Sequence, residues 1–453
     1  MDLILEEKDA ADWVYRGEGA ANIVLAYTGT TPTLVGKVLR IQKAPENETH
    51  CSNGSLSFSK HELLLWKDFE ELVQSPTKEI AAQQYAQHVI SPLLGSKHVD
   101  AGIRVLVSRE FLEEIERNIK SHRPDWRIDA AMVDTLKQSA LLISDHSLFP
   151  HGIFKGNVSI SVEIKPKCGF LPFSKYIARQ NAIKRSTTRF KMHQVLKFRQ
   201  QQIPNLSKYD PLDLFSGSKE RIHEALKALC NNPQNNFRVF LDGSLILGGF
   251  GGVADNSTSA TAEALEGVLK YVIEADDGLR MTSFLELLTE TVFKSGVLDR
   301  LLDVQKLDNY DVEGAIHAYY NFISQPCSVC GGLGEDEVSP RATFLHALPP
   351  NESLEIVKNF LIATTAKDCS LMFCFRRRED GGSDSSYDMV YLESTNQVFD
   401  YKVHFIDLDL KPLEKMEHYY ELDKKIVSAY TEALQNGQGT ENDHTVKLYE
   451  STQ

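Results

Sequence analysis

The feature that most constrains this chain is a run of positive charge placed directly after a strand. Residues Ser159–Ile164 alternate: Ile160, Val162 and Ile164 are apolar, Ser161 and Glu163 polar. Period two predicts a half-buried strand. Pro166 stops it, because proline has no N–H for a sheet ladder and fixes its own φ. Cations then crowd in: Lys165, Lys167, Lys175, Arg179, Lys184, Arg185, Arg189, Lys191 and Lys197. The whole chain is acidic, with a formal net charge of -14. A basic segment in an acidic chain points to a small anionic ligand; the plainer reading is a solvated loop and helix face. Glu163 favours the ligand, since a carboxylate among lysines at a strand end can orient a lysine toward a phosphate. Residues 184–197 read as a helix on which Arg189, His193 and Lys197 recur every fourth residue and share a face. Three cations on one face repel each other unless an anion sits among them.

The bulk properties set wider bounds. A chain of 453 residues buries a large core and suggests two or three domains. No apolar run approaches the roughly 20 residues of a membrane helix. The acidic start, Met1–Trp13, has neither the basic nor the apolar region of a signal peptide. Cytoplasm and/or nucleus is therefore the expected location. The seven cysteines are odd in number and unevenly spaced, which does not describe a disulfide framework. Strong negative charge argues against a nucleic-acid partner. A monomer with no membrane contact is the expectation.

Along the chain, Trp13–Tyr27 reads as strand, glycine turn and strand, with Gly17 and Gly19 where a backbone could approach a phosphate closely. Residues 35–41 read as a third strand, with Lys37 and Arg40 on opposite faces. His61–Val73 reads as one amphipathic helix. Trp126 reads as core, with Arg127 beside it. Ala140–Ile143 forms a short strand running into Asp145 and His146. Asn235, Asn236 and Arg238 precede another strand and offer amide and guanidinium donors together. Three striped helices follow between Leu265 and Ile323. Cys327 and Cys330 form a C-x-x-C with His317 upstream and His346 downstream, a set sufficient for tetrahedral zinc or else an inert surface pair. A helix reads over Ser353–Ala366, and Asp368 stands just before a buried strand at Leu371–Phe375. A strand over Tyr401–Ile406 ends at Asp407. Lys411, Lys415 and Tyr419 follow at spacing of four, which predicts one helical face. Leu434–Gln453 loses periodicity and reads as disordered.

Several of these stretches resemble one family. Val162–Pro172, VEIKPKCGFLP, is similar to the signature of the inositol-pentakisphosphate 2-kinases, especially plant members. Tyr15–Leu25 (YRGEGAANIVL), Pro233–Gly249 (PQNNFRVFLDGSLILGG), Thr365–Ser370 (TAKDCS) and Tyr401–Pro412 (YKVHFIDLDLKP) extend the resemblance in order along nearly the whole chain. It implies an α+β, two-lobed kinase-like fold: N-lobe 1–143, hinge 144–157, C-lobe 158–434 and tail 435–453. It implies ATP-dependent phosphorylation of the 2-hydroxyl of inositol 1,3,4,5,6-pentakisphosphate, with Asp368 as base and Lys165 assisting. ATP would meet Arg16, Gly17, Gly19, Ala20, Ala21, Asn22, Arg40, Asp145, His146, Glu163 and Asp407, with Mg²⁺ on Asp407. The acceptor would meet Arg127, Lys167, Arg189, His193, Lys197, Asn235, Asn236, Arg238, Lys411, Lys415 and Tyr419. Structural Zn²⁺ would take His317, Cys327, Cys330 and His346. Ala20 and Lys415 stand where relatives often have Gly and Arg; Glu414 and Pro45 depart from a basic pattern. The competing class is an inactive inositol-phosphate sensor or scaffold that kept the basic pocket.

Overall fold

Two sheets, each with its own core, organise the chain. The computed structural model describes residues 3–19, 21–44, 58–149, 158–249, 262–331, 340–378 and 386–436. In the first sheet, β1 (Ile4–Leu5), β2 (Trp13–Glu18), β3 (Asn22–Tyr27), β4 (Lys37–Ala44), β5 (Ile103–Val107), β6 (Met132–Val133) and β7 (Ser139–Ser144) combine. Their order is β1-β5-β7-β4-β3-β2, with β6 on β4. Ile23, Leu25, Leu39, Ile41 and Val105 pack beneath the helix Arg109–Ile119, which contributes Phe111, Leu112 and Ile115. The third strand starts two residues later than its apolar pattern suggests, because Gly36 turns the chain at φ +73°. The β2–β3 register shifts between Tyr15 and Gly17, so the glycine turn enters on a bulge at Arg16.

The second sheet holds β8 (Ser159–Ile164), β9 (Phe237–Leu241), β10 (Ser244–Leu247), β11 (Ser370–Arg377), β12 (Asp388–Leu392) and β13 (Gln397–Ile406). Its order is β10-β9-β8-β11-β13-β12, and every pairing is antiparallel. Asp242 and Gly243 both have positive φ, at 44° and 74°, as a two-residue hairpin turn between β9 and β10 requires. β8 is not half-buried as its alternation predicts: all six residues are buried. Both faces of this central strand are covered. Ile160, Val162 and Ile164 enter a helical core with Phe373 and Phe375. Glu163 on the other face sits opposite Arg238 in register. The alternation separates a greasy face from a charged one, not core from water.

Two predicted helices are broken. His61–Val73 divides into Lys60–Leu65 and Glu70–Val73, and the turn between them lets Leu65, Trp66 and Leu72 all reach the core. The 184–197 stretch divides at Ser186–Thr188. Thr188 accepts a hydrogen bond from Lys191 N at 3.3 Å and caps the helix Arg189–Arg199. The helix Met416–Gln435 runs into the segment expected to lack structure; residues 437–453 lie outside the described residues. Among the described residues, no helix is long and apolar enough to cross a membrane.

Lys184, one of the cations in the basic run, is a structural tie. Its side chain is 4% exposed and its ammonium meets Asp311 at 2.5 Å, Glu313 at 3.1 Å and Asp423 at 2.7 Å. It thereby joins the 3₁₀ turn Arg179–Arg185 to the helices Asp311–Phe322 and Met416–Gln435. Burial works against the charged lysine, but the three carboxylates outweigh it. Lys184→Met leaves those carboxylates uncompensated. It is expected to destabilise the fold by about 3–5 kcal/mol in chemical denaturation; an unchanged midpoint would reject the tie.

Candidate active site

A cavity of about 380 Å³ opens between the two sheets. Apolar side chains line part of it: Val24, Val38 and Leu141 from the first sheet, Phe240, Met372 and Phe405 from the second. Such walls suit a flat ring. Arg16, Gly17 and Gly19 bring the glycine turn to its rim, and Asp145 and His146 lie where β7 ends. Arg16 donates to Asp145 Oδ2 at 2.8 Å. The His146 ring stacks on His404 with centroids 3.8 Å apart. Burial pushes its pKa down more than neighbouring Asp100 pulls it up. Arg40 lines the cavity and Lys37 does not; it donates to Ser144 Oγ at 3.1 Å.

The charged end of this cavity is fully paired. Lys165 donates to Asp407 Oδ2 at 2.8 Å. Arg40 meets both oxygens of Asp409 at 2.8 Å. Arg238 donates to Glu163 Oε2 at 2.8 Å, and Ser370 to Oε1 at 2.9 Å. Glu163 therefore holds Arg238 more closely than Lys165, which is 4.0 Å away. Asp407 follows the end of β13 with φ +61°. Burial alone would raise its pKa, but Lys165 and Arg40 hold the carboxyl well below its ordinary value. A carboxylate kept charged at a strand end can bind a divalent cation.

A second cavity, about 270 Å³, is lined by Lys167, Arg189, His193, Lys197, Asn236, Asp368 and Tyr419. One face of the helix Arg189–Arg199 supplies three of these, as predicted. Asp368 is the last residue of the helix Pro350–Asp368 and accepts from Lys411 Nζ at 2.8 Å. Burial would raise its pKa; Lys411 and Lys167 outweigh that and hold it down. Burial, with Lys165 and Lys197 nearby, holds Lys167 down to about 8. Burial, with Lys197, Arg189 and Lys167 nearby, holds His193 down to about 3. Lys167 has φ +64° just past the end of β8. Lys165 lines the first cavity and Lys167 the second; Asn235 and Asn236 divide the same way. The cavities therefore adjoin across these residues.

Some expected residues fall elsewhere. Arg127, Asn235 and Arg238 line the first cavity, not the second. Arg127 sits on the short helix Asp125–Ile128, stacked 4.1 Å over Trp126 and donating to Gly19 O at 3.2 Å. Trp126 is 41% exposed and not core, because that helix stands at the rim of the first sheet. Lys415 is exposed and lines neither cavity. Lys411, Lys415 and Tyr419 share no helical face, since the α-helix begins at Met416 after Pro412. Ala21 and Asn22 flank the turn without lining the cavity, and Ala20 and Pro45 lie outside the described residues. Sequence reasoning missed Lys367, Asp308, Asp311 and Asp423, which line the second cavity. The position of Lys367 next to Asp368 was a usable signal; the three acids offered none.

Apart from both cavities, His317, Cys327, Cys330 and His346 converge. His317 Nδ1 lies 3.2 Å from His346 Nε2, 3.5 Å from Cys327 Sγ and 3.6 Å from Cys330 Sγ. Cys330 Sγ is 3.3 Å from His346 Nε2. Four donors this close can hold one metal ion.

A family model described as inositol-pentakisphosphate 2-kinase matches residues 15–425. The inositol-pentakisphosphate 2-kinase of Arabidopsis thaliana is 57% identical over 435 residues, 95% of each chain. That of Oryza sativa subsp. indica is 52% identical, covering 95% of this chain and 96% of the relative. A Danio rerio protein of the same name is 30% identical across 95% of both chains.

Proposed function

The chain belongs to the inositol-pentakisphosphate 2-kinase family, and from that premise we propose a reaction for its two cavities. It transfers the γ-phosphoryl group of ATP to the 2-hydroxyl of inositol 1,3,4,5,6-pentakisphosphate, giving the hexakisphosphate and ADP. The observation that carries this is the pairing of unlike cavities. One is an apolar slot with a glycine turn and a charged end; the other is a bowl lined by Lys167, Arg189, Lys197 and Lys367 together with Asp308, Asp311, Asp368 and Asp423. They adjoin at Lys165–Lys167, so a phosphoryl group has a short path between them. So many cations suit a ligand with many phosphates. The two sheets are read as the lobes of a kinase-like fold, spanning 1–143 and 158–434 and joined through 144–157, with 435–453 as a tail.

In this reading, ATP lies under Gly17–Gly19 with its base between Val38, Leu141 and Met372. Asp407 would hold Mg²⁺, which when bound neutralises charge on the transferring phosphoryl group. Arg40 and Lys165 add positive charge at the same end. Lys167, Arg189, His193, Lys197, Asn236, Lys411 and Tyr419 hold the acceptor. Asp368 takes the proton of the 2-hydroxyl as its oxygen bonds to phosphorus and the bond to ADP breaks. Positioning and charge neutralisation supply most of the catalysis. Asp368→Ala should reduce turnover at least about a hundredfold while leaving acceptor affinity within a few-fold. Anion-exchange separation of products, with calorimetric binding beside it, tests both. Lost binding with undiminished residual rate would reject Asp368 as base.

Lys167 gives the site a pH signature. Its pKa in the free protein is near 8, and a bound polyanion favours the protonated form. Below about pH 8 the lysine is charged in free and bound protein alike, so this group adds no pH dependence. Above it, binding must take up a proton, and affinity falls by up to about tenfold per pH unit until the raised pKa of the complex. Calorimetry from about pH 7 to about 9.5 tests this; constant affinity would remove Lys167 from the contact.

The cluster at His317, Cys327, Cys330 and His346 is read as structural zinc. Ligands about 2.0–2.3 Å from a tetrahedral ion sit roughly 3.3–3.8 Å apart; four of the separations here run from 3.2 to 3.6 Å, and all donor atoms lie within 4.8 Å of one another. Four protein donors leave no open position, so the role is folding. Cys330→Ser should lower both bound zinc and the melting midpoint. Full zinc content with unaltered melting would exclude the site.

A further inference from the structure

The geometry points to Glu18 as a positioning residue that sets the glycine turn and the segment carrying Arg127 as one unit. This rests on the reading of the two cavities above. Glu18 lies between Gly17 and Gly19, where a carboxylate facing the cavity would repel a phosphate. It is turned inward instead, with no exposed side-chain area. Arg123, also without exposed side-chain area, donates Nε to Oε1 at 2.8 Å and Nη2 to Oε2 at 3.1 Å. Lys43 Nζ reaches Oε2 at 2.6 Å, and Tyr15 OH reaches Oε1 at 3.3 Å. Burial would raise the carboxyl's pKa, but Arg123 and Lys43 outweigh it and keep Glu18 charged.

What the two cations do next links the turn to its neighbours. Arg123 Nη2 lies 3.2 Å from Arg127 O and 2.6 Å from Ala131 O, at the end of the short helix Asp125–Ile128. Lys43 Nζ donates to Gly19 O at 2.7 Å, and Arg127 Nη1 donates to the same oxygen at 3.2 Å. The contacts close a ring: glycine turn, Glu18, Arg123, backbone of Arg127, guanidinium of Arg127, and back to the turn. The donor's phosphates would meet the turn, and the side chain of Arg127 leans over it toward the cavity. Loosening Glu18 therefore frees both at once. Fully buried charge pairs are sensitive to loss of one partner, because the other is left without compensation.

A double-mutant cycle on the full chain tests this. Wild type, Glu18→Gln, Arg127→Ala and the double variant are compared by KM for ATP, KM for inositol pentakisphosphate and kcat, well below each measured melting midpoint. Glu18→Gln and Arg127→Ala should each raise the KM for ATP about tenfold. In the Arg127→Ala background, Glu18→Gln should add little to that KM, since coupled neighbours are not additive. An equal factor in both backgrounds, or unchanged KM values with lower melting alone, would overturn the proposal. If Glu18→Gln does not fold, Arg123→Lys keeps the charge but loses the fork. It should show the same non-additivity. A wild-type protein without turnover would reject the reading of the cavities instead. The cycle is then read from calorimetric binding of ATP and inositol hexakisphosphate, where additive effects would reject Glu18.

Discussion

A pocket for a polyanion must first be stable without it. Unpaired buried cations are costly, and most cations here are met by carboxylates. Lys165 sits on Asp407, Arg40 on Asp409, Arg238 on Glu163, Lys411 on Asp368, Lys367 on Asp308, and Arg189 on Asp423. Lys167 and Lys197 have no ion pair among the described residues, and burial lowers the pKa of both; His193 beside them is held to about 3 and stands neutral. The site divides its charge accordingly. Paired cations cost little in the free protein and would have to exchange a carboxylate for a phosphate in the proposed reaction. Unpaired buried ones strain the free protein and would gain most from an anion. Net affinity depends on that exchange, and counting cations alone overstates it.

Backbone geometry places these groups. Lys167 and Asp407 follow the ends of β8 and β13, which flank β11, and both take left-handed φ. Such residues cost of order 1–3 kcal/mol each and persist only where the surroundings fix them. Continuous antiparallel pairing of β8 and β13 with β11 is what fixes them here. The kink turns each chain sharply off the sheet's end, so Lys165 and Lys167 divide between two cavities although only Pro166 separates them.

Local chemistry was legible in the sequence wherever one element carried it. The spacing of Arg189, His193 and Lys197 placed them on one helical face, and the opposite faces of Lys37 and Arg40 assigned only one to the cavity. Long-range partners were not legible. Nothing near Asp423 announces Arg189 and Lys184, which lie more than two hundred residues earlier. Alternation in β8 was real but misread, because a charged buried face and a solvated face have the same period. Trp126 was misplaced for a related reason: bulk and aromaticity suggest burial, yet its ring serves as a platform for Arg127.

The four-donor cluster is distant in sequence from the basic run, but mechanically close to it. His317 lies on the helix Asp311–Phe322, whose first turn supplies Asp311 to the second cavity. On the same helix, Tyr320 donates to Glu417 Oε1 at 2.7 Å, in the helix that carries Tyr419 and Asp423. Asn321 donates to Ser353 Oγ at 2.8 Å, near the start of the helix that ends at Asp368. One helix thus bears His317 of the four-donor cluster and braces the two helices that deliver Asp368 and Tyr419. An ion bound there would stiffen both helices. Its loss would act on the second cavity through these braces, without any contact between metal and substrate.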